Sequence, residues 1–322
     1  MADLALYLGI ALLGYIIGSK INISHKVLAL TGKFQTAAIA VLVLAMGLRM
    51  GANQEVIKNI GSIGFYALVM TVFVLIFSVA ALYIVRRLMG FDKYGMLGEG
   101  EVRDYSSSNN EGSAGINKMT VIIVIAVMCG MVAGYLLLKF YIEDFNSYDH
   151  IMGTIIKVGL CVLLLFVGID LGFDGTVIEH FKKIGIRVVI VPVAVIIGSL
   201  AGAFVCGLVL PISIKEALSI GAGLGWYSLA PGIILEKGFV IASAISFIHN
   251  VLRELLSLVA IPFVAKKIGY LETVSLPGAA AMDVCLPIVE KATRSEIAVF
   301  SFISGVVLSA AVPILVPLML SL

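Results

Sequence analysis

The chain has 322 residues, 61% of them hydrophobic and 13% charged, where soluble domains carry about 25% charged residues. With a mean hydropathy of +1.11, this composition excludes a soluble globular protein and predicts an all-α polytopic membrane protein in contact with a lipid bilayer. The net charge of only +2 points away from a nucleic-acid partner.

The N-terminus, Met1-Ala-Asp-Leu-Ala, has an acid and no base before the first apolar run. A cleaved signal peptide needs a positive n-region, so residues 2–18 predict a retained first helix that starts outside. Further apolar runs at 34–51, 63–85, 119–138, 151–172 and 184–210 are long enough to span, a span needing about 20 residues. Between the third and fourth runs lies Phe91 to Lys118, with Ser106-Ser-Ser-Asn-Asn-Glu-Gly-Ser-Ala-Gly115 at its centre. That composition cannot bury a core and predicts a flexible linker. The expected organisation is a three-helix module at 1–90, a cytoplasmic linker at 91–118 and a transport module at 119–322. The cysteines, Cys129, Cys161, Cys206 and Cys285, all lie in apolar stretches and read as core residues, not as a metal site or disulfide framework.

The two sides of the linker resemble each other. Met46-Gly-Leu-Arg-Met-Gly51 aligns without gaps to Val167-Gly-Ile-Asp-Leu-Gly172, and the register continues to Val177-Ile178 and Ile184-Gly185. Gly14-Tyr15 matches Gly134-Tyr135 with one residue of slippage. Helices 1–3 and 4–6 thus read as a repeat, and three spans per copy make it inverted, a signature of secondary transporters. Arg49 and Asp170 occupy matching positions but opposite ends of their spans. Both read as end-of-helix or vestibule charges, with Asp170 the weaker functional candidate.

Two later segments break the helical pattern. Residues 214–236 carry Gly221, Gly223, Gly225, Pro231 and Gly232, and residues 275–291 carry Pro277, Gly278, Asp283 and Pro287. Both predict re-entrant hairpins, whose irregular backbone survives at membrane depth only inside protein or along a wet cavity. An arm of about 8 residues rises about 12 Å, close to half of the bilayer core, so each tip can reach the midplane. With the N-terminus outside and both segments as hairpins, about eight transmembrane helices remain and both termini lie outside. Fifteen of the 22 Lys and Arg then face the cytoplasm and six the outside, as the positive-inside rule requires. Ten full spans would divide them fourteen to seven, so the glycines and prolines, not the charges, favour hairpins.

Between the hairpins, Phe239 to Ala265 is a 27-residue stretch whose charges are Arg253 and Glu254. An ionised group at the bilayer centre costs about 2.5–3.5 kcal/mol on insertion scales and is functional by default. Ser246, Asn250, Arg253, Glu254 and Ser257 recur at spacings of three and four, one polar stripe on an apolar cylinder. His249 lies beside it. Adjacent helical residues diverge by about 100°, so Arg253 and Glu254 face different partners. Asp283 can N-cap the outgoing arm of the second hairpin. If a helix runs through Pro287, the missing N–H also frees the Asp283 carbonyl. Glu254 and Asp283 converging would hold an ammonium or exchange a proton. In the first hairpin, Ser228 can cap the outgoing arm and aim its N–H groups at a substrate carboxylate. Trp226 and Tyr227 either face a substrate cation or fill the core. Such a site suits a basic amino acid.

Gly223-Leu-Gly-Trp-Tyr-Ser-Leu-Ala-Pro-Gly232, Asn250-Val-Leu-Arg-Glu254 and Gly278-Ala-Ala-Ala-Met-Asp-Val-Cys-Leu-Pro287 resemble the lysine exporter family of the LysO type, and Leu165-Phe-Val-Gly-Ile-Asp-Leu-Gly172 fits it more loosely. The resemblance covers nearly the whole chain, is strongest from about residue 150, and matches the first three helices only in layout. It implies export of L-lysine and toxic analogues such as thialysine from the bacterial cytoplasm, eight spans with both ends outside, and a pair of embedded acids that fall on Glu254 and Asp283. The long 91–118 linker departs from it. The expected function is lysine/proton antiport across the inner or plasma membrane by alternating access, with no cofactor and with sodium and a homodimer left open. A cation/proton antiporter or organic-anion carrier of similar layout is the alternative. An intramembrane hydrolase using Ser228 and His249 is a third reading, weakened by the lack of a group to orient the histidine.

Overall fold

In lipid every backbone N–H and C=O must be satisfied within the chain, and helices do this locally. The computed structural model describes residues 2–20, 25–95, 118–140, 145–173, 187–282 and 284–322, which are helical with no β-strand among them. The first half contains α1 (Ala2–Lys20), α2 (His25–Gly51), the one-turn α3 (Gln54–Lys58), α4 (Ile60–Leu88), α5 (Lys118–Phe140) and α6 (Phe145–Phe173). The second contains α7 (Arg187–Val209), α8 (Ile214–Gly221), α9 (Ala230–Glu236), α10 (Val240–Lys267), α11 (Tyr270–Ser275), α12 (Leu286–Ala292) and α13 (Ser295–Leu320), with a 3₁₀ turn at Gly278–Met282. Among the described residues, five helices are long and apolar enough to cross a membrane: Ile60–Leu88, Ser147–Phe166, Val188–Val209, Val240–Lys267 and Glu296–Leu320. The protein is a polytopic helical membrane protein.

Helices in lipid lack a hydrophobic reason to associate and rely on close backbone approach through small residues. Here α1 packs on α6, α2 on α5, and α4 on α7. A Cβ at Gly14 would lie 2.3 Å from the Leu165 carbonyl oxygen, and one at Gly18 2.1 Å from that of Ile169. In the second pair, a Cβ at Gly130 would lie 2.6 Å from the Leu44 oxygen, and one at Gly134 2.2 Å from that of Leu48. The facing glycines behave alike: Gly172 meets the Tyr15 carbonyl at 2.2 Å and Gly51 the Met131 carbonyl at 2.0 Å. The contacts thus give Gly130, not Gly134, the role of Gly14. That register is one helical turn from the match expected between Gly14-Tyr15 and Gly134-Tyr135. On the α4–α7 seam, Gly198 and Gly202 lie against the backbone at Phe77–Ser78 and Phe73–Val74, and the Ser78 and Ser199 hydroxyls bond at 3.0 Å.

The first broken segment has the expected bounds, α8 and α9 joined by turns at 222–229. The second starts earlier than the expected residue 275. The chain leaves α10 at Ile268, turns at Gly269 and descends through α11 before the break at Leu276–Pro277. Of the 91–118 linker, residues 91–95 and Lys118 are described, and the former dock on this segment. The Lys93 carbonyl accepts from the Tyr270 N–H at 2.9 Å, and the Tyr94 and Tyr270 rings meet edge to face at 5.3 Å. Residues 96–117 lie outside the described residues.

Two apolar clusters surround the two broken segments. Leu42, Met46, Ile156 and Leu160 pack with Ile220, Ile233 and Ile245 around the first. Leu82, Val191 and Ile261 pack with Val274, Val289 and Ile297 around the second. Helix α10 contributes its early turns to the first cluster and its late turns to the second, and its polar row occupies the turns between.

Candidate functional site

The tips of the two broken segments meet. The Leu224 carbonyl accepts from the Ala279 N–H at 2.8 Å. A Cβ on Gly278 would stand 2.0 Å from the Leu224 oxygen, and one on Gly225 would stand 2.6 Å from the Pro277 oxygen. Both glycines adopt left-handed backbone, φ +65° and +93°, and Leu224 does so at +48° without the freedom of glycine. A non-glycine residue in that region stores about 1–3 kcal/mol of strain and persists only where its surroundings over-determine it.

Helix α10 holds the junction from the side. Asn250 is fully buried. Its Oδ1 accepts from the Gly225 N–H at 2.7 Å, while its Nδ2 donates to the Ser246 carbonyl at 2.8 Å and the Ser246 hydroxyl at 3.2 Å. One turn on, fully buried Arg253 donates from Nε to the Leu276 carbonyl at 2.9 Å, from Nη2 to the Ser275 carbonyl at 3.0 Å, and from Nη1 to the Ser199 hydroxyl at 3.1 Å. These carbonyls belong to the descending arm of the second segment, where the helix breaks and leaves them without helical partners. Among the described residues, no carboxylate oxygen lies within 4.0 Å of this guanidinium. Arg253 therefore fastens the second tip to α10 and α7 through neutral oxygens. Glu254 is buried at 1% exposure. Ser257 donates back to the Arg253 carbonyl at 2.5 Å. Asp283 lies outside the described residues, and so does the side chain of Asp170.

Several expected roles change. Ser228 is not the cap of α9. The N-cap is Leu229, without a side-chain bond, and the Ser228 hydroxyl instead accepts from the Trp226 indole N–H at 3.0 Å. The Ala230 N–H goes to the Trp226 carbonyl at 3.1 Å and Pro231 has none, so this arm offers fewer N–H groups to a ligand than expected. Trp226 packs against the first apolar cluster and Tyr227 against Val43, Val127, Phe247 and Val251. Helix α12 starts at Leu286 with Cys285 as N-cap and the proline in its first turn, where a missing N–H has no consequence. The expectations for the Asp283 carbonyl and side chain lie outside the described residues.

His249 is fully buried. Its Nδ1 lies 3.0 Å from the Thr71 hydroxyl of α4, which also donates to the Ala67 carbonyl at 2.7 Å. Its Nε2 has no hydrogen-bond partner among the described residues. Among the described residues, no hydrogen bond joins His249 to Ser228. Arg49 is an end-of-helix charge, in the last turn of α2, and not a vestibule charge. It is 6% exposed, grips both oxygens of Asp149 at 2.7 and 2.8 Å, and donates to the Leu235 carbonyl at 2.8 Å. It thereby ties the far end of the first segment to α6. At the second segment, Arg86 pairs with fully buried Glu272 at 2.5 Å. Sequence reasoning missed Ser199, Arg86 and Glu272. The small-residue run Gly198-Ser-Leu-Ala-Gly202 and an acid inside apolar Tyr270–Leu276 were the available signals.

A sequence profile described as "Lysine exporter LysO" matches residues 124–320, which takes in both broken segments and α10. The chain belongs to the LysO lysine-exporter family. It is similar to the lysine exporter LysO of Escherichia coli (strain K12), with 34% identity over 159 residues, 49% of this chain and 52% of that protein. The match thus spans about half the length of that relative. It is also similar to a putative lysine exporter of Haemophilus influenzae (strain ATCC 51907 / DSM 11121 / KW20 / Rd), with 28% identity over 193 residues, 59% of this chain and 92% of the relative. No solved structure matches it.

Proposed function

We infer that the protein is a secondary active exporter of L-lysine, and of analogues such as thialysine, working as a lysine/proton antiporter. The observation that carries this reading is the junction of two broken segments on the buried row Asn250, Arg253 and Glu254, inside a membrane protein of the LysO family. Irregular backbone at that depth needs a polar occupant or a wet cavity, and lysine is a polar molecule with one carboxylate and two ammonium groups. Arginine has five N–H donors, and three of those on Arg253 are used within the described residues. The remaining donors receive the substrate carboxylate, in place of the arm that Ser228 was expected to cap. Glu254 and Asp283 receive the ammonium groups and exchange them for protons.

The layout supports alternating access. Helices α1, α2, α5 and α6 meet across backbone-close seams, and both broken segments pack with α7, α10 and α13, the second also with α4 and the first also with α6 and α2. The equivalent glycine contacts of α1–α6 and α5–α2 support an inverted repeat of helices 1–3 and 4–6, with 91–118 as a linker between modules. In this scheme eight helices span, the two broken segments are re-entrant, and both termini lie outside.

The alternative of an organic-anion carrier draws on the same guanidinium, and lysine binding measured against sodium and organic-acid binding in purified protein separates the readings. The direct test is lysine efflux from loaded proteoliposomes with and without a pH gradient. An inward proton gradient is expected to accelerate efflux. Glu254→Gln is expected to abolish that acceleration in a protein that melts normally. Normal gradient-driven efflux by Glu254→Gln overturns the proton role.

A further inference from the structure

A second site lies at the basic end of the molecule, away from the tips. A cavity of about 610 Å³ opens between the last turns of α4 and α10, and Tyr83, Arg86, Arg87, Asp92, Lys93 and Lys267 are among its lining residues. Four cations converge there against one acid. Charge at a helix C-terminus is ordinary, but two features go beyond it. Arg86 is 6% exposed and rigidly aimed. Its Nε is held by Glu272 at 2.5 Å and its Nη1 by the Phe91 carbonyl at 3.2 Å. Arg86 and Arg87 also flank one ring, their guanidinium carbons 5.2 and 5.4 Å from the centroid of Tyr83. Lys93 is fixed too, donating to the Lys266 carbonyl at 2.7 Å.

We propose that this cavity binds a phosphate group, from an anionic phospholipid or from a soluble phosphate. An ammonium-bearing substrate is repelled by four cations, so the pocket is not an antechamber for lysine. Oriented guanidinium groups match phosphate oxygens in pairs. Basic pockets between helices at a membrane surface bind anionic headgroups. The neighbouring surface suits acyl chains, since Ile84 and Leu88 of α4 and Phe263 of α10 are exposed on the same closing turns. Through Arg86 the site touches Glu272, and Glu272 sits in the descending arm of the second broken segment. An occupant therefore competes with that carboxylate for one guanidinium and reaches the arm that Arg253 holds at its tip.

The test uses the purified full-length protein in a neutral detergent, with binding followed by thermal stabilisation. Titrants are short-chain phosphatidylglycerol, the matching phosphatidylcholine, and inorganic phosphate. Phosphatidylglycerol is expected to bind and phosphatidylcholine not. Binding by phosphatidylglycerol alone identifies a lipid source, and comparable binding by inorganic phosphate identifies a soluble one. A basic residue near a charged headgroup contributes about five-fold in affinity, so Arg87→Gln with Lys267→Gln is expected to weaken binding about 30-fold. Lys58→Gln with Lys139→Gln, in a separate cavity lined by residues of α3 and α5, is expected to change nothing. Equal binding of the two lipids, or an unchanged affinity in the Arg87/Lys267 double variant, overturns the proposal. If the double variant does not fold, Arg87→Gln alone carries the test with an expected loss of about five-fold.

Discussion

The two broken segments reach the same point by different means. The first is held at its tip by neutral groups, the Asn250 amide and a backbone hydrogen bond, and its charged anchor, Arg49, lies at the far end of α9. The second is held at its tip by a cation, Arg253, bonded to two carbonyls, with a buried ion pair, Arg86–Glu272, in its descending arm. A neutral amide fixes a backbone and leaves the local field unchanged. A buried guanidinium fixes a backbone and also attracts anions. The two tips therefore have unequal roles: the first shapes the junction, and the second charges it.

That contrast can be broken in three ways, the most damaging first. Arg253→Met leaves the Ser275 and Leu276 carbonyls without their guanidinium donor in the interior. It is expected to cost about 3–5 kcal/mol, read as a lower melting temperature in detergent. Asn250→Leu, the matched lesion at the first tip, is expected to cost about 1–3 kcal/mol. Equal losses would remove the distinction drawn here. Next, Gly278→Ala places a methyl group against the Leu224 oxygen in left-handed backbone, with an expected cost of about 1–3 kcal/mol. Gly225→Ala has more room against the Pro277 oxygen and is expected to be milder in the same melt. A reversed order would mean that the first segment, not the second, sets the contact. The smallest effect is expected at Arg49→Gln. Its partner Asp149 is 34% exposed, and a partly exposed pair contributes about 1 kcal/mol or less.

Much of this was legible in the sequence because glycine and proline leave clear marks. Gly221 to Gly232 located the first segment to the residue. The second was placed late because Tyr270–Ser275 contains no glycine or proline to mark it. The spacing of Ser246, Asn250, Arg253 and Ser257 identified one face of α10. Spacing cannot show what that face touches, because Arg253 bonds backbone carbonyls and these have no residue signature. Ser228 misled for a related reason. A serine before a short helix is a good cap in isolation, but the indole two residues earlier takes its hydroxyl. Arg49 read as an end-of-helix or vestibule charge, and its partner was not foreseen because Asp149 lies 100 positions away.

The glycine seams of α1–α6 and α2–α5 carry a consequence for inheritance. At Gly14, Gly18, Gly51, Gly134 and Gly172 a single added carbon would meet a carbonyl oxygen at 2.0 to 2.3 Å. Every amino acid one base change away from a glycine codon is larger than glycine. These positions have no benign neighbours in the genetic code, and a population can leave them only by changing both helices of a pair together.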